Sequence, residues 1–178
     1  FTVAMGLFGS DKPSQEVQDL VEGAKHHSVD AEVLGKTSAS GFGSHDYLND
    51  GPLVDHLEKG EQPHYVFPLV KTADCGVFVD NGEDLLPDSK LRTIVTITDQ
   101  RILIVVGSKT GDRETSISYT AVSSIELDND PEGRFSKYEL TIGTDEADYK
   151  VRRFVPDVDE GIDEKFRAAG QYIAEMTE

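Results

Sequence analysis

From residue 63 onward the apolar residues recur at every second position, in short runs separated by turn signals. Such alternation marks half-buried strands, because successive side chains of a strand point to opposite faces. The runs fall at 64–70, 76–80, 92–98, 101–106, 114–119, 122–127, 137–142 and 147–153. In 92–98, Thr93, Val95 and Ile97 alternate with Ile94, Thr96 and Thr98; the tight turn Asp99-Gln100 then leads into 101–106, which reads as a hairpin. A second hairpin joins 137–142 to 147–153 across 143–146. Strands at this spacing, with turns between them, predict an antiparallel sandwich or barrel. The fold class is mainly β with helices.

Two helices frame the strands. Residues 157–176 carry Val158, Ile162, Phe166, Ala169 and Ile173 on one face, with Asp157 and Asp159 as N-cap candidates after Pro156. Such a stripe must be buried, and an antiparallel meander has an open end for it to plug. Near the start, 13–34 reads as one helix, with Pro13 in its first turn, Val17, Leu20, Val21, Ala24 and Ala31 as its apolar stripe and Gly35 as C-cap. A loop follows over 35–51, then a short helix over 52–59 closed by Gly60. Residues 1–10 read as a tail bearing Leu7 and Phe8, in which Met5 is a candidate natural start. The expected division is an N-terminal tail, helix and loop over 1–51 and a β-rich domain over 52–178.

The order of short motifs is informative. Glu58-Lys59-Gly60-Glu61-Gln62 precedes the first strand; Ile97-Thr98-Asp99-Gln100-Arg101-Ile102-Leu103-Ile104 forms the central hairpin; Ala121-Val122-Ser123-Ser124-Ile125-Glu126 follows the strand ending at Tyr119. This resembles the bacterial pleckstrin-homology-like (PH-like) family of the YokE-like type. There a Gly-Glu pair leads into strand one, a Leu-Thr-x-x-Arg-hydrophobic hairpin joins strands two and three, and a Tyr-x-x-Ile/Val-x-x-Ile segment leads into strand five. Thr98 and Arg101 match the hairpin, and Tyr119, Val122 and Ile125 match the last pattern. The resemblance covers roughly residues 56–176. It implies a seven-stranded, partly open barrel capped by the C-terminal helix, with 76–80 as an extra strand or insertion and the N-terminal helix outside the pattern. Physically, Thr98 and Asp99 suit a tight turn through side-chain-to-backbone hydrogen bonds, and Arg101 is placed to pair with an acid or a carbonyl.

Charge restricts the partners. The chain holds 17 Lys+Arg against 34 Asp+Glu, a net charge of −17. Residues 1–89 contribute 5 basic and 16 acidic side chains, 90–154 contribute 10 and 11, and 155–178 contribute 2 and 7. Dense acidity repels phosphate backbones and anionic lipid, so nucleic acid is excluded as a partner and membrane contact is disfavoured. Nineteen Asp and only ten Lys resemble the composition of proteins from salt-in halophilic archaea; molar salt shortens the Debye length to about 3 Å and relieves such self-repulsion. A single cysteine, Cys75, rules out an internal disulfide framework and a four-cysteine zinc site. No signal peptide is visible, and the expected location is cytoplasmic.

Candidate sites are few. Lys150, Arg152 and Arg153 form a basic cluster on the last strand, placed to meet an acidic partner, a lipid head group or acids of the same chain. In the hairpin, Asp128, Asp130, Glu132, Gly133 and Glu139 occupy positions 1, 3, 5, 6 and 12 of a calcium-loop spacing, although strands rather than helices flank them. The stretch from Lys71 to Cys75 lacks the basic loop of phosphoinositide-binding relatives, and Gly35-Lys36-Thr37 lacks the first glycine and the preceding strand of a phosphate-binding loop. His26 and His27, adjacent on a helix, diverge too far to share a metal. No nucleophile elbow or acid–base constellation occurs, so no cofactor and no enzymatic activity is expected. The expected function is an interaction module, an adaptor or scaffold for protein partners, with self-association through the stripe on 13–34. The competing readings are a peripheral membrane sensor using Leu7, Phe8, Lys150, Arg152 and Arg153, and a calcium-responsive protein or an enzyme.

Overall fold

A computed structural model of the chain describes residues 14–35, 47–70, 72, 75–82, 85–132, 135–156 and 160–178. The tail carrying Leu7 and Phe8, together with Pro13, Asp74, Gly133, Asp157, Val158 and Asp159, lies outside these residues.

Eight strands form two antiparallel four-stranded sheets. Sheet A has the order β1 (Pro63–Leu69), β3 (Thr93–Thr98), β4 (Arg101–Val106), β5 (Arg113–Ser118). Sheet B has the order β2 (Gly76–Val79), β8 (Asp148–Pro156), β7 (Phe135–Thr144), β6 (Val122–Glu132). Each predicted run is therefore a strand. The expected seven-stranded barrel is corrected: β2 is a full member of sheet B, paired with β8 from Gly76↔Arg152 to Val79↔Tyr149, and the sheets do not close on each other. The chain passes from one sheet to the other three times, between β1 and β2, between β2 and β3 and between β5 and β6. Gly76, at φ +132°, takes the β1–β2 corner, where a side chain would be strained. A 3₁₀ turn, Tyr119–Ala121, takes the β5–β6 corner. β6 also runs five residues past its expected end at 127, since it stays paired with β7 out to Glu132↔Phe135.

One core fills the space between the sheets. Val95 and Ile97 of β3, Ile102, Ile104 and Val106 of β4, and Leu140, Ile142 and Val151 of sheet B meet there. The C-terminal helix contributes Phe166, Ala169, Tyr172 and Ile173 from its predicted stripe and one added aromatic. The Phe166 ring lies 4.9 Å from Phe67 of β1 and 5.8 Å from Tyr138 of β7, so this residue joins both sheets.

A second core lies on the other face of sheet A. The predicted helix over 13–34 is two helices, α1 (Gln15–Gly23) and α2 (Ala31–Gly35); the C-terminal helix is α3 (Glu160–Met176). The break has a local cause. Ser28 N–H donates to His26 Nδ1 rather than to a helical carbonyl, and Asp30 starts a new helix by accepting Val33 N–H at its Oδ1. Ser14 caps α1 by accepting from Val17 N–H. Val17, Val29, Val33 and Leu34, with Leu48 and Leu53, bury Val66, Ile94, Leu103 and Val105 of sheet A. Leu20, Val21, Ala24 and Ala31 pack against the same cluster, so the stripe covers its own sheet and gives no support to self-association. His26 closes the layer by pairing its Nε2 with Glu164 of α3 at 2.9 Å. The expected helix over 52–59 is a single 3₁₀ turn, Leu53–His56.

Candidate functional site

The two halves of the sequence motif meet in one network. Gly60, at φ +81°, turns the chain so that Glu61 enters the interior at the start of β1. Arg101, first residue of β4, donates from Nε to Glu61 Oε2 at 2.9 Å and from one terminal nitrogen to Oε1 at 3.0 Å. The same nitrogen donates to the His56 carbonyl, and the other donates to Ser116 Oγ. Thr98 Oγ1 donates to Glu61 Oε2 at 2.7 Å and accepts from the N–H groups of Gln100 and Arg101, which fixes the turn. Tyr119 donates its hydroxyl to the Thr98 carbonyl. Burial pushes the Glu61 carboxyl upward, but hydrogen bonds from Arg101, Thr98 and the Glu58 N–H outweigh it and hold the group below its ordinary value. The arginine of the motif thus pairs with both an acid and a carbonyl; it is an internal strut.

The predicted basic cluster is split by strand alternation. Arg152 points outward with Lys150, stacks its guanidinium 4.6 Å over the Phe78 ring, and bonds Glu139 Oε2 through Nε at 2.6 Å. Of the partners expected for the cluster, Arg152 thus takes an acid of the same chain, Glu139 on the neighbouring strand. Lys150 is half-buried opposite Phe78 and Thr141. Arg153 belongs to the inward parity of Tyr149 and Val151 and reaches a different place.

That place is a cleft of about 520 Å³ at the β1–β2 corner, lined by Tyr47, Pro68, Leu69, Val70, Thr72, Cys75, Arg92, Arg153 and Phe154. Arg92, just before β3, stacks 5.6 Å from the Tyr47 ring centroid. Among the described residues neither Arg92 nor Arg153 forms an ion pair. Lys165 of α3, which feels the Arg153 charge, lies outside the lining, with Nζ 4.2 Å from the Phe67 ring centroid. Burial lowers the Lys165 ammonium to about 8; the Arg153 charge pushes the same way and Asp30 opposes it. Cys75 is held at the rim by Phe154, whose N–H donates to its Sγ at 3.3 Å. Val70 beside it is 41% exposed. Two guanidinium groups and an apolar wall can accept a carboxylate or phosphate with a hydrophobic neighbour. The sequence cluster contained Arg153 but missed Arg92, which lies far away in the chain.

The calcium-spacing residues are placed as follows. Asp128 is exposed on β6 directly across the ladder from Glu139, and Glu139 is engaged by Arg152. Asp130 and Glu132 lie in the backbone of β6, their side chains outside the description, as is all of Gly133. Among the described residues no group of three or more His, Cys, Asp or Glu is arranged to hold a metal ion. No described helix is long and apolar enough to cross a membrane.

No family model matches the chain, and no curated protein matches it. Among solved structures, the chain is similar to the Vps36 N-terminal PH domain, at 13% identity and a TM-score of 0.44, covering 74% of this chain and 93% of that one.

Proposed function

We propose that the chain is a PH-like, non-enzymatic interaction module that acts as an adaptor, holding an anionic group of a protein partner in the Arg92–Arg153 cleft. The observation that carries this reading is the convergence of two arginines without a described carboxylate partner in a chain of net charge −17. In such a chain two arginines that meet in one concave site with no carboxylate partner among the described residues are the exception, since acids outnumber bases two to one. The apolar wall of Pro68, Leu69 and exposed Val70 supports a partner with hydrophobic flanks rather than a free ion. The motif resemblance supports the PH-like part of the reading; the non-enzymatic part is carried over from the sequence, which holds no nucleophile elbow.

The test is titration of the isotope-labelled chain with an acidic peptide carrying leucine flanks. Amide shifts around Arg92, Arg153 and Cys75, with at least a ten-fold affinity loss in R92Q/R153Q, are the expected result. Binding unchanged in that double variant overturns the site. The membrane reading rests on the same basic side chains; flotation of the chain with anionic vesicles at molar salt, abolished by R92Q/R153Q, would favour it over a protein partner.

A further inference from the structure

β5 is the outermost strand of sheet A. Its one edge is laddered to β4 from Arg101↔Ser118 to Val106↔Arg113, and its other edge has no strand partner among the described residues. Ile117 is its only buried side chain. A free edge of this kind presents unpaired N–H and C=O groups at strand spacing.

A cleft of about 630 Å³ lies along this edge, with Ser116, Ile117 and Ser118 in its wall. Consecutive strand residues face opposite ways, so a cleft touching all three borders the backbone edge itself. Across the cleft stands the β7–β8 turn with exposed Asp145 and Glu146, and exposed Glu58 adds a third carboxylate. The one basic side chain in the wall, Arg101, is already neutralised by Glu61, with Glu114 3.9 Å away. The cleft is therefore anionic, whereas the cleft at Arg92 and Arg153 is cationic.

We propose that this edge accepts an extended, lysine- or arginine-rich segment of a partner protein as a fifth strand of sheet A. Main-chain hydrogen bonds to β5 supply the pairing, and Glu58, Asp145 and Glu146 receive alternate cationic side chains. This surface goes beyond the anion-binding reading and stands without it. Together the two clefts would let one module hold two partners of opposite charge.

The experiment uses the full chain in the lowest salt at which it stays folded, because screening weakens exposed charge pairs. Three probes are titrated: an acetylated (Lys-Val)4 amide, the same peptide N-methylated at alternate residues, and (Glu-Val)4. The expected result is binding of the first alone, amide shifts centred on Ser116–Ser118, and at least a ten-fold loss in E58Q/D145N/E146Q, three exposed substitutions that leave the core intact. Equal binding of the N-methylated peptide, shifts centred on another edge, no binding, or occupation of the edge by a second copy of the chain overturns the proposal. R92Q/R153Q binds the lysine peptide as the natural chain does, which separates this site from the other cleft.

Discussion

The Glu61 carboxylate, fully buried, is gripped by the Arg101 guanidinium through two hydrogen bonds, although the two residues lie 40 positions apart. They tie the segment before β1 to the β3–β4 turn. Removing one partner strands the other charge in the interior, which costs about 3–5 kcal/mol. Arg101→Met should therefore lower unfolding free energy in urea by about that amount, and the double variant E61M/R101M should recover more than half of it. The Glu61 value is held below 4.5 in the folded chain, so its contribution is full above 4.5 and is lost as pH falls through the lower folded value. The pH dependence of urea midpoints below 4.5 should flatten in E61M/R101M.

Among the described residues, two buried hydroxyls have no hydrogen-bond partner, Thr96 Oγ1 and Tyr138 Oη. Each carries a desolvation cost with no bond to offset it. Thr96→Val keeps the shape and removes the cost, so it should stabilise the chain by about 1 kcal/mol. Tyr138→Phe should act in the same direction. Thermal melts of the two variants check both.

Phe166 touches both sheets, so its truncation opens a cavity that neither sheet can fill. Phe166→Ala should cost about 3–5 kcal/mol in chemical denaturation. Hydrogen exchange should show α3 deprotected before the strands.

His64 Nδ1 accepts the Lys25 N–H at 3.1 Å beside the Tyr172 ring. Burial lowers its pKa from 6.5, the Lys25 charge lowers it further and Asp99 opposes them. A depressed folded value means that the native chain favours neutral imidazole; the stabilisation is full above 6.5 and is lost as pH falls through the lower folded value. The Lys25 amide should exchange faster at pH 5 than at pH 7 after correction for intrinsic rates. His64→Phe should exchange faster at both pH values, with that acid response removed.

Much of the architecture was legible because strand alternation and the 160–176 stripe depend on local periodicity alone. Every predicted strand appears within a few residues of its limits, as in Arg101–Val106, and Ile162, Phe166, Ala169 and Ile173 all face the core. Closure was not legible, because it depends on how Gly76 and the Tyr119–Ala121 turn hand the chain from sheet to sheet. The fate of the N-terminal stripe had a signal that went unread. The run Ile102-Leu103-Ile104-Val105-Val106 is apolar at both parities, which marks a strand covered on both faces. The break between α1 and α2 follows from His26 and Asp30 bonding to backbone, a choice that propensity does not encode. The cationic cleft brings together Arg92 and Arg153 from separate parts of the chain, so only Arg153 lay in a visible cluster.

The layer formed by α1 and α2 changes where this module can be cut. A fragment starting at Pro63 would present Val66, Ile94, Leu103 and Val105 to water along the middle of a sheet. Such a fragment would clump, so the first helices are a structural lid that expression of the strands alone cannot dispense with.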